Sequence, residues 1–399
     1  MSKLKYFILN KFTGSLGLGI LSIAFTRRLK RLVGRPVYLK VKSSFSINDS
    51  GVTERDLAII SRLTKFWSNS QNSLTNLGKS PWNQIQKDQT QFYEIMGEGN
   101  LEKIYDYLIS SPTQSLCNGV LQGNRESTML KANPKYRDLI SKITINRFMA
   151  LSEAIGEGCE VQNPEQGQWG VKKDINFDEF LNRLDAAFGM PVIPPNIYTG
   201  LLLTEVGNRK FNQVDIMALN ASLQIKNTLA NSPNKTILEI GSGSGITPYW
   251  CNRLGLGPIQ IIDLPHVAVL QAFYLLKSLP DANILLYGED RGVGEPDITI
   301  YPHWAFLELP KNKVELVFNQ DSFAEMSNET VLNYLTWISD IGAQILLSIN
   351  HESGATYDSA LASQANISRL IQENSAYLRL SRHPNWIRQG YIDQVWKID

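Results

Sequence analysis

Cysteine and histidine are scarce, three and four in 399 residues. Cys117, Cys159 and Cys251 show no paired spacing, which argues against a zinc site or a disulfide framework and points to a reducing, cytoplasmic compartment. A membrane-spanning run is missing as well: the apolar stretch at residues 12–25 is well short of the ~20 residues that cross a bilayer. The chain has no excess of one charge, with a net value of +1, so a nucleic-acid binder with basic residues spread over its body is excluded. Repeats and low-complexity tracts are absent too, which leaves an ordinary globular protein of two or three domains.

The near-neutral total conceals an asymmetry. Residues 1–48 carry ten Lys or Arg and no acid, so the remainder stands near −9, with 29 basic residues against 38 acidic. Lys3, Lys5 and Lys11 precede the apolar stretch, and Arg27, Arg28, Lys30 and Arg31 follow it. The pattern has the n- and h-regions of a signal peptide, but no small-residue cleavage site follows. An interfacial helix held to anionic lipid fits better, with a basic helix packed on the protein's own surface as the alternative.

The most informative stretch is residues 236–265, TILEIGSGSGITPYWCNRLGLGPIQIIDLP. It reads as strand, glycine loop, helix, strand and terminal acid, one βαβ unit of a nucleotide-binding sheet. Gly241, Gly243 and Gly245 let the loop turn tightly and bring its backbone close to a ligand. Asp263, ending the second strand, stands where a carboxylate accepts both hydroxyls of a ribose. Dinucleotide sites use G-x-G-x-x-G, but here the third glycine comes one place early and position 246 is Ile. Glu239 beside the loop repels a pyrophosphate and welcomes a cation, which favours S-adenosylmethionine over NAD.

E-x-G-x-G-x-G with an acid ending the next strand resembles the first two motifs of the class I S-adenosylmethionine-dependent methyltransferases. The strings IIDLPHVAVLQAFYLL, VFNQDSFAEMSNETVLNYL and HPNWIRQGYIDQVW resemble the sugar O-methyltransferase family, over residues 198–396. That resemblance implies a sugar or surface-glycan acceptor and a place in polysaccharide biosynthesis. It also implies that an acid after the third strand, read at residues 283–287, meets the adenine amino group, with Asp290 favoured over Glu289.

The fourth strand, residues 314–319, delivers Asp321, Ser322 and Glu325 to the carboxyl edge of the sheet, and the fifth, residues 344–349, delivers Asn350 and His351. A sugar hydroxyl is a weak acid, so methyl transfer needs a base among Asp321, Glu325 and His351. Asp321 has a second reading as a helix cap, and the three together a third as a magnesium site. Arg209 is a candidate for a carboxylate of either ligand, or else a solvated residue. His383, Trp386 and Arg388 precede a closing antiparallel strand at residues 391–396, where Trp386 either faces a sugar or plugs the core.

The expected fold is α/β: a Rossmann-like seven-stranded methyltransferase sheet with helices on both faces, preceded by a mainly helical region. The expected divisions are a basic, apolar segment over residues 1–48, a helical cap shaping the acceptor pocket over 49–200, and the S-adenosylmethionine-binding domain over 201–399. Two rivals stay open, a nicotinamide oxidoreductase and a non-catalytic scaffold of the same fold.

Overall fold

The computed structural model describes residues 41–48, 51–71, 87–156, 176–352 and 365–399. Residues 1–40 of the basic, apolar segment, with its expected membrane contact, lie outside the described residues, as does a Gly- and Gln-rich stretch at 159–173.

The chain opens with β1 (Ser43–Phe45) and α1 (Glu54–Ser70), then α2 (Thr90–Glu98), α3 (Leu101–Ile109), α4 (Gly123–Ala132), α5 (Pro134–Ile155) and α6 (Phe177–Phe188). Thr53 and Asp56 form a reciprocal capping box that starts α1, and its buried stripe is Ile59, Ile60, Leu63, Phe66 and Trp67. Strands β2 (Leu202–Val206) and β3 (Arg209–Phe211) join β1 in a small antiparallel sheet.

After α7 (Gln213–Thr228) the large sheet begins. Its elements are β4 (Ile237–Ile240), α8 (Ile246–Arg253), β5 (Ile259–Asp263), α9 (Pro265–Ser278), β6 (Ile284–Leu286), β7 (Ile298–Pro302), β8 (Leu316–Gln320), α10 (Asn328–Asp340), β9 (Ile345–His351), α11 (Ile367–Gln372), β10 (Tyr377–Pro384) and β11 (Tyr391–Ile398). The strand order is β10-β11-β9-β8-β4-β5-β7-β6, with six parallel strands and an antiparallel hairpin at one edge. This is a Rossmann-like sheet of eight strands rather than the seven expected. The extra strand is β6, which had been read as the third: β7 lies between it and β5.

Alternation along β4 shows how both faces are covered. Ile237 joins one apolar cluster with Ile261, Phe318 and Leu347, while Leu238 joins another with Ile262, Val317, Leu335 and Trp396. The first cluster continues without a break into Phe66, Phe92, Leu108 and Phe148 of the helical region. Polar ties reinforce that junction: Lys277 pairs with buried Asp56, and Arg62 binds Glu289 bidentately at 2.8 Å. Among the described residues, no helix is long and apolar enough to cross a membrane.

Candidate functional site

The chain reverses direction across the sheet between β4 and β8, and a crevice at the carboxyl ends of the strands is where such a switch point places a ligand. A cavity of about 170 Å³ lies there. It is lined by Glu239, Gly241, Gly243 and Asp263, by Gln320, Asp321, Ser322 and Glu325, and by His303, Thr330 and Tyr334. Gly119 and Val120 of the helical region, with Val214 and Met217 at the start of α7, close it from the other side.

The glycines serve different ends. At Gly241 (φ +74°) a Cβ would stand 2.2 Å from the Ser322 hydroxyl, so this glycine lets the β4 loop and the β8 loop meet. Gly243 has only Val120 at 3.5 Å, so its Cβ position stays open to the cavity side. Gly245 does not line the cavity; it caps α8 in the left-handed conformation and packs against Gln271 of α9. Ile246, where a dinucleotide site carries its third glycine, is a buried residue at the first turn of α8.

The two carboxylates of the βαβ unit face the same cavity. Burial raises Glu239 to about 8, against the opposing effect of the Ser242 hydroxyl, and the neighbouring Asp263 raises it further. Burial likewise raises Asp263 to about 7. Asp263 is held by the backbone N–H of Leu264 at 2.8 Å, that of Gly243 at 3.3 Å and the side-chain amide of Gln271. Gln271, fully buried on α9, thus orients the acid. Two buried acids with raised proton affinity form an electrostatic well that a cation fills.

At the β8 edge, Asp321 adopts φ +67°, a costly conformation for a non-glycine residue. It does not cap the short turn that follows, Ser322–Glu325. Its Oδ2 instead accepts from Arg388 Nη1 at 2.7 Å, and that guanidinium sits 3.5 Å above the Tyr391 ring. Beneath them, Asn350 donates to Asn319 at 2.9 Å, and Asn319 donates to the Ile240 carbonyl and to Ser322. This network fixes the ends of β4, β8 and β9 together.

Several expected residues lie elsewhere. Asp290 and Glu289 follow the edge strand β6 and line a separate recess beside Arg62, because β7 separates them from Asp263. His351 is the last residue of β9, which runs two residues further than expected; its ring packs edge-on against Tyr391 at 5.6 Å and does not line the cavity. Arg209 is taken by Asp185, with both guanidinium contacts at 2.6 Å. Trp386 is 59% exposed, so it is no core plug. Among the described residues, no group of three or more His, Cys, Asp or Glu is placed to hold a metal ion.

The sequence reading missed His303, Thr330 and Tyr334 as lining residues. The signal for His303 is the apolar alternation of ITIYP before it, which marks a short strand followed at once by one of the chain's few histidines. No comparable local cue marks Thr330 and Tyr334, which reach the cavity from α10.

No family model and no curated protein matches the chain. Among solved structures it is similar to the magnesium protoporphyrin IX methyltransferase of Synechocystis PCC 6803 with bound SAH, at 10% identity over 48% of this chain and 90% of that one, TM-score 0.33. It is also similar to the mitomycin 7-O-methyltransferase, at 15% identity over 47% and 57% of the two chains, TM-score 0.32.

Proposed function

We propose that this protein is an S-adenosylmethionine-dependent O-methyltransferase whose acceptor is a hydroxyl of a sugar or surface glycan. The observation that carries the cofactor is the pair of buried carboxylates, Glu239 and Asp263, facing one cavity across a glycine loop. A pyrophosphate would hold both acids in their protonated forms and gain no charge pairing, whereas a sulfonium or ammonium draws them into their ionised forms and pairs with them. The residues present fit that ligand: Glu239 meets the cationic amino-acid end, Gly243 leaves room for it, and Asp263 takes the ribose hydroxyls. When bound, S-adenosylmethionine supplies a methyl group activated on sulfur.

The chain's own part is positioning and proton removal. Of the three candidate bases, Glu325 lines the cavity on a short turn, Asp321 is tied to Arg388, and His351 stands outside the lining. Glu325 therefore takes the acceptor proton, and Asp321 shapes the wall beside it. Val120 and Met217 screen the reacting centre from water. The sugar acceptor rests on the resemblance of three stretches of sequence, the last of which places Arg388 on Asp321. The protein acts in the cytoplasm, with its basic N-terminal segment against anionic lipid.

The test is methyl transfer from labelled S-adenosylmethionine to a panel of nucleotide sugars and oligosaccharides. Label in a sugar that disappears with Glu325→Gln supports the reading. Label that stays in the cofactor with every sugar, but moves to a non-sugar hydroxyl, overturns the acceptor class and leaves the cofactor standing.

A further inference from the structure

Asp263 ends β5, and His303 follows directly on the last residue of the neighbouring parallel strand β7, Pro302, which the register sets opposite Asp263. Asp263 and His303 line the same cavity. With the ribose on Asp263, a nucleobase directed away from the Glu239 loop would lie over the end of β7, the strand next to β5 on that side. Tyr334 stands on the same side, its ring 5.6 Å from Phe306 in the turn that begins at His303.

The other acids of the cavity, Glu239, Asp321 and Glu325, belong to β4 and to the turn after β8, on the far side of Asp263 from β7. Glu289 and Asp290 line a different recess. Among the described residues, the cavity lining beside the end of β7 therefore offers an imidazole and a tyrosine hydroxyl rather than a second carboxylate. Burial lowers His303 to about 4, so it is neutral at physiological pH.

The distinction has a chemical consequence. A carboxylate only accepts hydrogen bonds, so it selects a purine with a 6-amino donor and rejects one with a 6-oxo acceptor. A neutral imidazole carries one donor and one acceptor and exchanges them by changing tautomer, and a tyrosine hydroxyl is equally adaptable. We propose that His303 reads the nucleobase and that this site accepts a 6-oxopurine in place of adenine. The proposal rests on the S-adenosylmethionine reading of the cavity.

The experiment is competition calorimetry at pH 7.5 on the full chain, comparing S-adenosylhomocysteine with S-inosylhomocysteine. The wild type is expected to favour the adenine ligand by less than about tenfold; a larger preference overturns the proposal. His303→Gln, which keeps a donor and an acceptor, is expected to leave that ratio unchanged. His303→Asp is expected to raise it at least about tenfold, and an unchanged ratio in that variant is contrary evidence that sinks the idea. Should His303→Asp fail to show a cooperative melt, His303→Leu takes its place: both ligands weaken by about fivefold or more, and no loss overturns the base contact. A wild type that binds neither ligand removes the cofactor reading itself. Binding of S-adenosylhomocysteine with the wrong ratios removes only this proposal.

Discussion

Ligand binding at the two raised carboxylates should release protons, and the amount follows from their positions. With Glu239 near 8 and Asp263 near 7 in the free protein, the two hold roughly 0.9 and 0.5 of a proton at pH 7. A cationic ligand favours both ionised forms, so binding S-adenosylhomocysteine through its ammonium should release up to about 1.4 protons at pH 7. The sign is fixed: the free state holds the protons, so binding tightens as pH rises, by up to roughly fiftyfold between pH 6 and 7 if both acids ionise fully. The tightening levels off above pH 8. Calorimetry at pH 7 in buffers of different ionisation enthalpy reads the proton number as a slope. Glu239→Gln should cut the slope to about half a proton or less and weaken binding at least about tenfold. A zero slope in the wild type, with tight binding, would falsify the electrostatic account of this cavity.

Three further outcomes follow from the same geometry. Glu239, Asp263 and the buried Asp215, raised to about 7, each bind a proton more tightly in the folded chain than unfolded, so the ligand-free protein should lose stability as pH climbs from about 5 to 8; thermal melts across that range check it, and a flat profile counts against the burial of these acids. Gly241→Ala should destabilise by roughly 2–4 kcal/mol, from positive φ and the clash with Ser322, and Gly243→Ala by about 1 kcal/mol from φ alone; denaturant titration with the order reversed would contradict the packing described. Arg388→Ala should leave S-adenosylhomocysteine affinity within about threefold while cutting methyl transfer at least about tenfold, with Arg388→Lys recovering little because a lysine lacks the planar fork; equal loss of both quantities would mean that Arg388 is merely structural.

The parts legible in the sequence were those encoded locally. The βαβ unit reads directly because the apolar runs of β4 and β5, the three glycines and Asp263 lie within thirty residues of one another. The closing antiparallel strand was equally visible at residues 391–396, and β11 runs antiparallel to β9 and β10 there. What failed depended on distant partners. Asp321 stayed open between base and helix cap because its partner, Arg388, lies 67 residues later on the hairpin turn. Asp290 read as an adenine contact because β6 resembles a third strand locally, and only the insertion of β7 beside β5 moves it to the edge. His351 was expected just past the end of the fifth strand, as a candidate base, because nothing local shows that pairing with Tyr391 extends β9 to include it.

The account turns on what the glycine-loop cavity binds. The most direct measurement is calorimetric titration of the purified chain with S-adenosylhomocysteine and, separately, with NADH, each repeated on Asp263→Ala. The account predicts micromolar binding of the first ligand alone, weakened at least about tenfold in the variant, since Asp263 alone meets the ribose. Binding of NADH alone, or of neither ligand, would contradict it.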